Sequence, residues 1–193
     1  MKICVYGAAS SEIDNSFIEA GKELGRKIAE RNHTLVFGAG RGGMMGAVAT
    51  GAAEKNGVIL GVSPKFFEET NAEILFPNCT TLIQPDTMRE RKGILDSSSD
   101  AFIMTPGGIG TFDEFFEILT LKQLGRHNKA IVVFNINGYY DNLLRMMQWS
   151  IDQKFITEET VNLYKVTTTI EETLDYLENY VPREIKLEEL KLR

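Results

Sequence analysis

Cysteine and histidine are scarce in this chain. Cys4, Cys79, His33 and His127 are all that 193 residues contain, too few for a disulfide framework and without the ligand spacing of a zinc or iron site. No metal is expected. No run approaches the roughly 18 apolar residues that a membrane-crossing helix requires, so no membrane partner is expected either. Positive charge is in deficit: the net charge is −6 and the isoelectric point about 5.1. Wholesale attraction to nucleic acid or an anionic lipid surface is therefore not expected, and a phosphate ligand must be held by local geometry. Met1 leads straight into the strand-like Ile3-Cys4-Val5-Tyr6 with no leader-like segment, and the expected compartment is the cytoplasm. Internal repeats and low-complexity segments are missing as well.

What remains is ordinary globular composition, 43% hydrophobic and 25% charged, enough for one sizeable core and one domain spanning 1–193. The charged tail from Arg183 to Arg193 reads as a solvated helical end. Short β-rich runs alternate with helical patterns. Strands are expected at Ile3–Tyr6, Thr34–Phe37, Val58–Val62, Ala101–Met104 and Ile131–Phe134, with weaker candidates at Thr80–Ile83 and Tyr164–Val166. Apolar residues recur at helical spacing between them: Phe17, Ala20, Leu24 and Ile28; Met45, Val48, Ala49 and Ala52; Phe115, Ile118 and Leu119; Leu143, Met146 and Met147. Such alternation predicts an α/β fold, a Rossmann-like doubly wound parallel sheet with helices on both faces.

Ligands of such sheets lie beyond the carboxyl ends of the strands. Three loops expected there are rich in small residues: Gly7–Ser11, which includes Ser10; Gly38–Gly46, which includes Gly40 and Gly43; and Pro106-Gly107-Gly108-Ile109-Gly110-Thr111. The third lies between an apolar strand and a helical run. Its glycines allow close backbone approach, and the free N–H groups of the following helical turn favour negative charge. A phosphate-bearing ligand is the expectation. Gly38-x-Gly40-x-x-Gly43 also matches a dinucleotide fingerprint by letters, but the next strand runs into Ser63-Pro64-Lys65 rather than an acidic residue for ribose hydroxyls. Close helix–strand packing accounts for some of these glycines. Arg41 reads equally as a surface charge or a pocket cation.

Thr111-x-x-Glu114 fits a capping box, a purely structural role, yet a plain cap needs no preceding run of glycines. Glu117 follows one turn after Glu114 on the same helical face, so both carboxylates are expected to point to one region. Met88, Arg91 and Lys92 share a face of a short helical pattern. They read as a basic surface patch or, with Arg91 as a bidentate donor, as a carboxylate or phosphate grip.

The pairing of Met88-x-x-Arg91-Lys92 with Pro106-Gly107-Gly108-Ile109-Gly110-Thr111-x-x-Glu114 resembles the LONELY GUY family, the cytokinin-activating nucleoside 5′-monophosphate phosphoribohydrolases. Ile3–Ser11, Gly38–Gly46 and the stretch from Leu124 through Tyr140 resemble family segments too. The resemblance implies a Rossmann-like homodimer without metal or redox cofactor that cleaves an N-glycosidic bond, of AMP or a cytokinin riboside 5′-monophosphate, to free base and ribose 5-phosphate. It assigns catalysis to Arg91 and Glu114. The candidate substrate and phosphate set is Ser10, Gly40, Gly43, Met88, Lys92, Gly107, Gly108, Ile109, Gly110, Thr111 and Glu117. Glu114 is expected to face the ribose, where it would stabilise the cation that forms as the base departs. The label "lysine decarboxylase", common in this family, has no convincing pyridoxal-phosphate lysine context here.

The chain departs from the family at Gly38-Ala39-Gly40, where three glycines are common, and at Phe112-Asp113. Phe66 and Phe67 are expected in the core, although with Met88 they are also candidates for lining a base pocket. Trp149 is expected in the core or at a dimer interface, and the apolar Phe115–Leu124 helix fits either core or interface. The alternative function is a nucleotide or molybdenum-cofactor carrier that uses the same cradle without hydrolysis.

Overall fold

A computed structural model describes residues 1–70 and 74–182. The helical tail expected from Arg183 lies outside the described residues. The chain alternates β1 (Lys2–Tyr6), α1 (Asn15–Glu30), β2 (Thr34–Phe37), α2 (Gly43–Glu54), β3 (Ile59–Val62), α3 (Lys65–Glu69), β4 (Thr81–Ile83), α4 (Met88–Ser97), β5 (Ala101–Met104), α5 (Ile109–Gln123), β6 (Ala130–Phe134), α6 (Asp141–Asp152), β7 (Lys165–Thr167) and α7 (Ile170–Glu178). The seven strands form one sheet in the order β4-β3-β2-β1-β5-β6-β7, every adjacent pair parallel. The doubly wound sheet expected from the alternation is the fold observed. Strand order reverses between β1 and β5, so the loops after those two strands diverge and open a crevice.

Successive strand residues face opposite sides, and each side has its own core. Ile3, Val5, Leu35 and Phe37 pack with α1, α2 and α7, whereas Cys4, Tyr6, Val36, Phe102 and Met104 pack with α4, α5 and α6. The helix α2 is buried almost all round, as a helix enclosed between α1 and the sheet must be. Small residues allow that approach: a methyl group at Gly25 would strike the Val48 carbonyl, and one at Gly51 the Lys22 carbonyl.

Several expectations are corrected by packing. Val58 precedes β3 rather than opening it and is 52% exposed. Its carbonyl still accepts the Leu35 amide. Of the two places expected for Trp149, the core is ruled out, since the side chain is 58% exposed on α6. Phe115, Ile118 and Leu119 of α5 are core, but Phe116 faces outward. Phe66 and Phe67 join neither core; they are half-buried, and their rings meet at a tilt of 58° with centroids 4.7 Å apart. No described helix is long and apolar enough to cross a membrane.

Candidate active site

Thr105 and the loop beyond it tie β5 to β1. The Thr105 amide and hydroxyl both donate to the Tyr6 carbonyl, at 2.9 and 2.8 Å, and the Ala8 amide donates to the Pro106 carbonyl at 3.1 Å. The two loops then part around a cleft of about 320 Å³, within the usual size of small-ligand sites. Gly7, Ala8, Ala9 and Ser10 form one wall and Gly108, Gly110 and Thr111 another; Met45, Phe67 and Met88 add apolar surface, and Arg91 and Glu114 add charge.

The glycine turn is braced from outside. Tyr139 donates its hydroxyl to the Gly107 carbonyl at 2.8 Å, and Tyr140 donates to the Thr105 carbonyl at 2.7 Å. Burial pushes the Tyr140 phenol well up, so it remains a donor. A methyl group at Gly107 would collide with the Thr111 side chain, which explains a glycine there. The cap of α5 differs from the one expected. Its N-cap is Gly108, with no side-chain hydrogen bond, so Thr111 lies within the first turn and Glu114 beyond it. The first-turn amides are therefore not occupied by a side-chain cap, the condition under which a helix N-terminus is open to an anion.

The capping box belongs to α4 instead. Thr87 accepts the Glu90 amide at 3.1 Å, and the Glu90 carboxylate accepts the Thr87 amide at 3.1 Å. That fixed start turns Arg91 and Leu95, one turn apart, toward the interior. Arg91 is 5% exposed. Its Nε donates to the Val62 carbonyl at 3.1 Å, and its Nη1 donates to Glu114 Oε1 at 2.7 Å. Burial raises the Glu114 carboxyl above the ordinary range, and the Arg91 guanidinium opposes that rise. A raised carboxyl pKa moves a group toward the range useful for proton transfer near neutrality. Cys4 is near enough to feel Glu114, yet burial pushes its thiol up to about 12, so it is no thiolate nucleophile.

Glu114 and Glu117 both border a small space between α4 and α5, as their shared face predicts, but only Glu114 reaches the cleft. Glu117 pairs with Lys92 at 2.6 Å, and Lys92 also reaches Asp113 at 3.1 Å, away from the cleft. Neighbours in sequence on a helix point about 100° apart, so Arg91 faces inward and Lys92 outward. Ile109 likewise faces away from the cleft, 82% exposed. Of the second loop only Met45 reaches the cleft. Gly40 is bridged to Leu75. Gly43 has φ +56°, and a side chain there would meet the Ala8 and Ser10 carbonyls. Gly43 thus supports the first loop from behind, and neither glycine lines the cleft. Arg41 is exposed and is not among the cleft's lining residues. Phe67 reached the cleft against the expectation of core packing, and the supporting tyrosines were not singled out. No spacing rule marks a residue that acts on a backbone carbonyl 32 residues away.

The remaining candidates have structural partners. His33 Nε2 meets Glu178 at 2.8 Å, and His127 Nε2 meets the Ile118 carbonyl at 2.8 Å. The departure at Ala39 falls on a position with φ +64°, where glycine is the favoured residue.

A family model described as "possible lysine decarboxylase" matches residues 45–177. No lysine lines the cleft among the described residues, so the site does not fit the internal lysine that pyridoxal phosphate needs. The cytokinin riboside 5′-monophosphate phosphoribohydrolase LOG2 of Arabidopsis thaliana is 33% identical over 94% of this chain and 84% of its own length. Among solved structures, the structural-genomics target TM1055 superposes with a TM-score of 0.72 at 21% identity, covering 93% of this chain and 99% of that one. The molybdenum cofactor carrier protein of Chlamydomonas reinhardtii superposes with a TM-score of 0.68 at 18% identity, covering 92% and 95%. These two share the fold. The extent of the family match and the identity to a curated relative are sufficient for a conclusion about lineage: the chain belongs to the LONELY GUY family.

Proposed function

We propose that this protein hydrolyses the N-glycosidic bond of nucleoside 5′-monophosphates, AMP or a cytokinin riboside 5′-monophosphate, giving free base and ribose 5-phosphate. The observation that carries the reading is the buried Arg91–Glu114 pair beside an uncapped glycine-rich helix start. The phosphate lies against Gly108, Gly110, Thr111 and the Ala8–Ser10 turn, neutralised by the amides of α5. The ribose then faces Glu114, and the base meets Met45, Phe67 and Met88. As the base leaves, positive charge grows on the ribose, and a carboxylate held in a low-dielectric wall stabilises it. Glu114 also accepts the proton of the attacking water. Arg91 keeps that carboxylate ionised and aimed. The reaction consumes only water, so no cofactor is proposed. A carrier would use the cradle alone and leave Glu114 without a task.

The same family resemblance supports a homodimer in the cytoplasm. Exposed Phe116 on α5, with Met146 and Trp149 on α6, supplies apolar surface of the kind an interface uses.

The test is chromatography of released base after incubation with AMP, other nucleoside monophosphates and N6-isopentenyl AMP, each beside its dephosphorylated nucleoside. Release is expected to require the 5′-phosphate, and Glu114→Gln is expected to lose about 10²–10⁴-fold of it. Tight binding without release would replace the hydrolase by the carrier.

A further inference from the structure

The Glu114 side chain borders two spaces. In front is the cleft. Behind it, between α4 and α5 and above Tyr6 of β1, is a second cavity of about 40 Å³ whose polar lining is Tyr6, Lys92, Asp96, Glu114 and Glu117. A water needs about 10–15 Å³ and two to four polar partners, so roughly three waters fit there. The Arg91 hydrogen bond engages Oε1 of Glu114, and the second oxygen is not held by that guanidinium. Ile118, Leu121 and Gly93 complete the lining, and Gly93 is itself exposed. A helix interior is a poor place for glycine, and packing does not require one here, because a Cβ at Gly93 would meet nothing within 4 Å. The cavity therefore has a rim that a side chain would cover.

We propose that this interhelical cavity is a water-filled proton exit for Glu114. The proposal rests on the hydrolytic reading above. In each turnover the C1′–N bond breaks with its electron pair going to the base, the water oxygen bonds to C1′, and one water proton passes to Glu114. The departing base takes a proton from solvent through the open cleft. Glu114 must then lose a proton before it can serve again, while ribose 5-phosphate still occupies the front. Waters behind it carry that proton past Tyr6 and Asp96 toward the rim at Gly93. Substrate and exit path thus lie on opposite sides of one carboxylate.

Gly93→Leu covers the rim, Leu121→Trp fills the cavity from α5, and Gly93→Ala leaves it open. A block after bond cleavage slows turnover without affecting capture of substrate. For both filling variants kcat is expected to fall about tenfold with kcat/KM unchanged, and rapid-quench measurement is expected to give a burst of one base per site. Gly93→Ala is expected to behave as wild type. Unchanged kcat in a folded filling variant, or equal losses of kcat and kcat/KM, would overturn the proton exit; failure of both filling variants to fold would overturn the claim that this space is free. Wild-type base release is scored in the same experiment, so loss of the hydrolytic reading is seen separately.

Discussion

At the scale of single residues, one buried ion pair governs the site. Glu114 has a carboxyl pKa raised by burial and restrained by Arg91. A folded-state pKa above the unfolded value means that the ionised carboxylate costs stability near neutrality, and that this cost is relieved as pH falls through the folded pKa. Arg91→Met removes the restraint and moves that pKa further up. The variant is expected to lose about 3–5 kcal/mol at pH 8 and less at pH 5, because the raised carboxyl takes up its proton as pH falls; urea denaturation at the two values checks it. Equal losses at both would mean that Arg91 contributes packing rather than charge. Both partners were legible because their motifs name them. That Lys92 and Glu117 pair with each other away from the cleft was not legible, since the letters give helical spacing but not which side of the helix the sheet covers. Thr111-x-x-Glu114 and Thr87-x-x-Glu90 have the same capping letters, and only the second forms the box, because the extended backbone at Gly108 puts the N-cap of α5 three residues before Thr111.

At the scale of elements, the strands were the most legible feature. Buried parallel strands are short, uniformly apolar runs such as Ala130–Phe134, and no polar face blurs them. Their ends were less so. Val58 looks like a strand residue by type but lies outside the described pairing of β2 with β3. Helix contacts were legible only in part. The spacing Phe17, Ala20, Leu24 and Ile28 marks one face of α1, yet the closeness of α1 to α2 depends on Gly25 and Gly51, which periodicity ignores. Gly25→Ala is expected to cost about 1–3 kcal/mol through overpacking, despite the better helix propensity of alanine. A chemical-denaturation midpoint at or above wild type would show that α1 and α2 can separate without loss.

At the scale of the whole molecule, Phe116 of α5 and Met146 and Trp149 of α6 present exposed apolar side chains. The expected outcome of sedimentation velocity at micromolar concentration is a dimer, weakened by Trp149→Asp by at least about 2 kcal/mol, some thirtyfold in dissociation constant. A wild-type monomer would remove the homodimer from the proposed function. The sequence left Trp149 and the Phe115–Leu124 helix open between core and interface, since exposed and buried apolar residues have the same letters. The sheet order has a further consequence, for the birth of the protein. Ile3 pairs with Ala101, so the middle of the sheet joins the first strand to one made about a hundred residues later. Sequential β1–β2 and β2–β3 contacts are available early, whereas this long-range closure is late and slow. A ribosome-bound chain that ends before α5 holds the Gly7–Ser11 wall with no wall opposite it. Nucleotide can therefore stabilise only a chain in which β5 and the start of α5 have joined β1, and ligand affinity in nascent chains of increasing length would mark the moment at which the two walls meet.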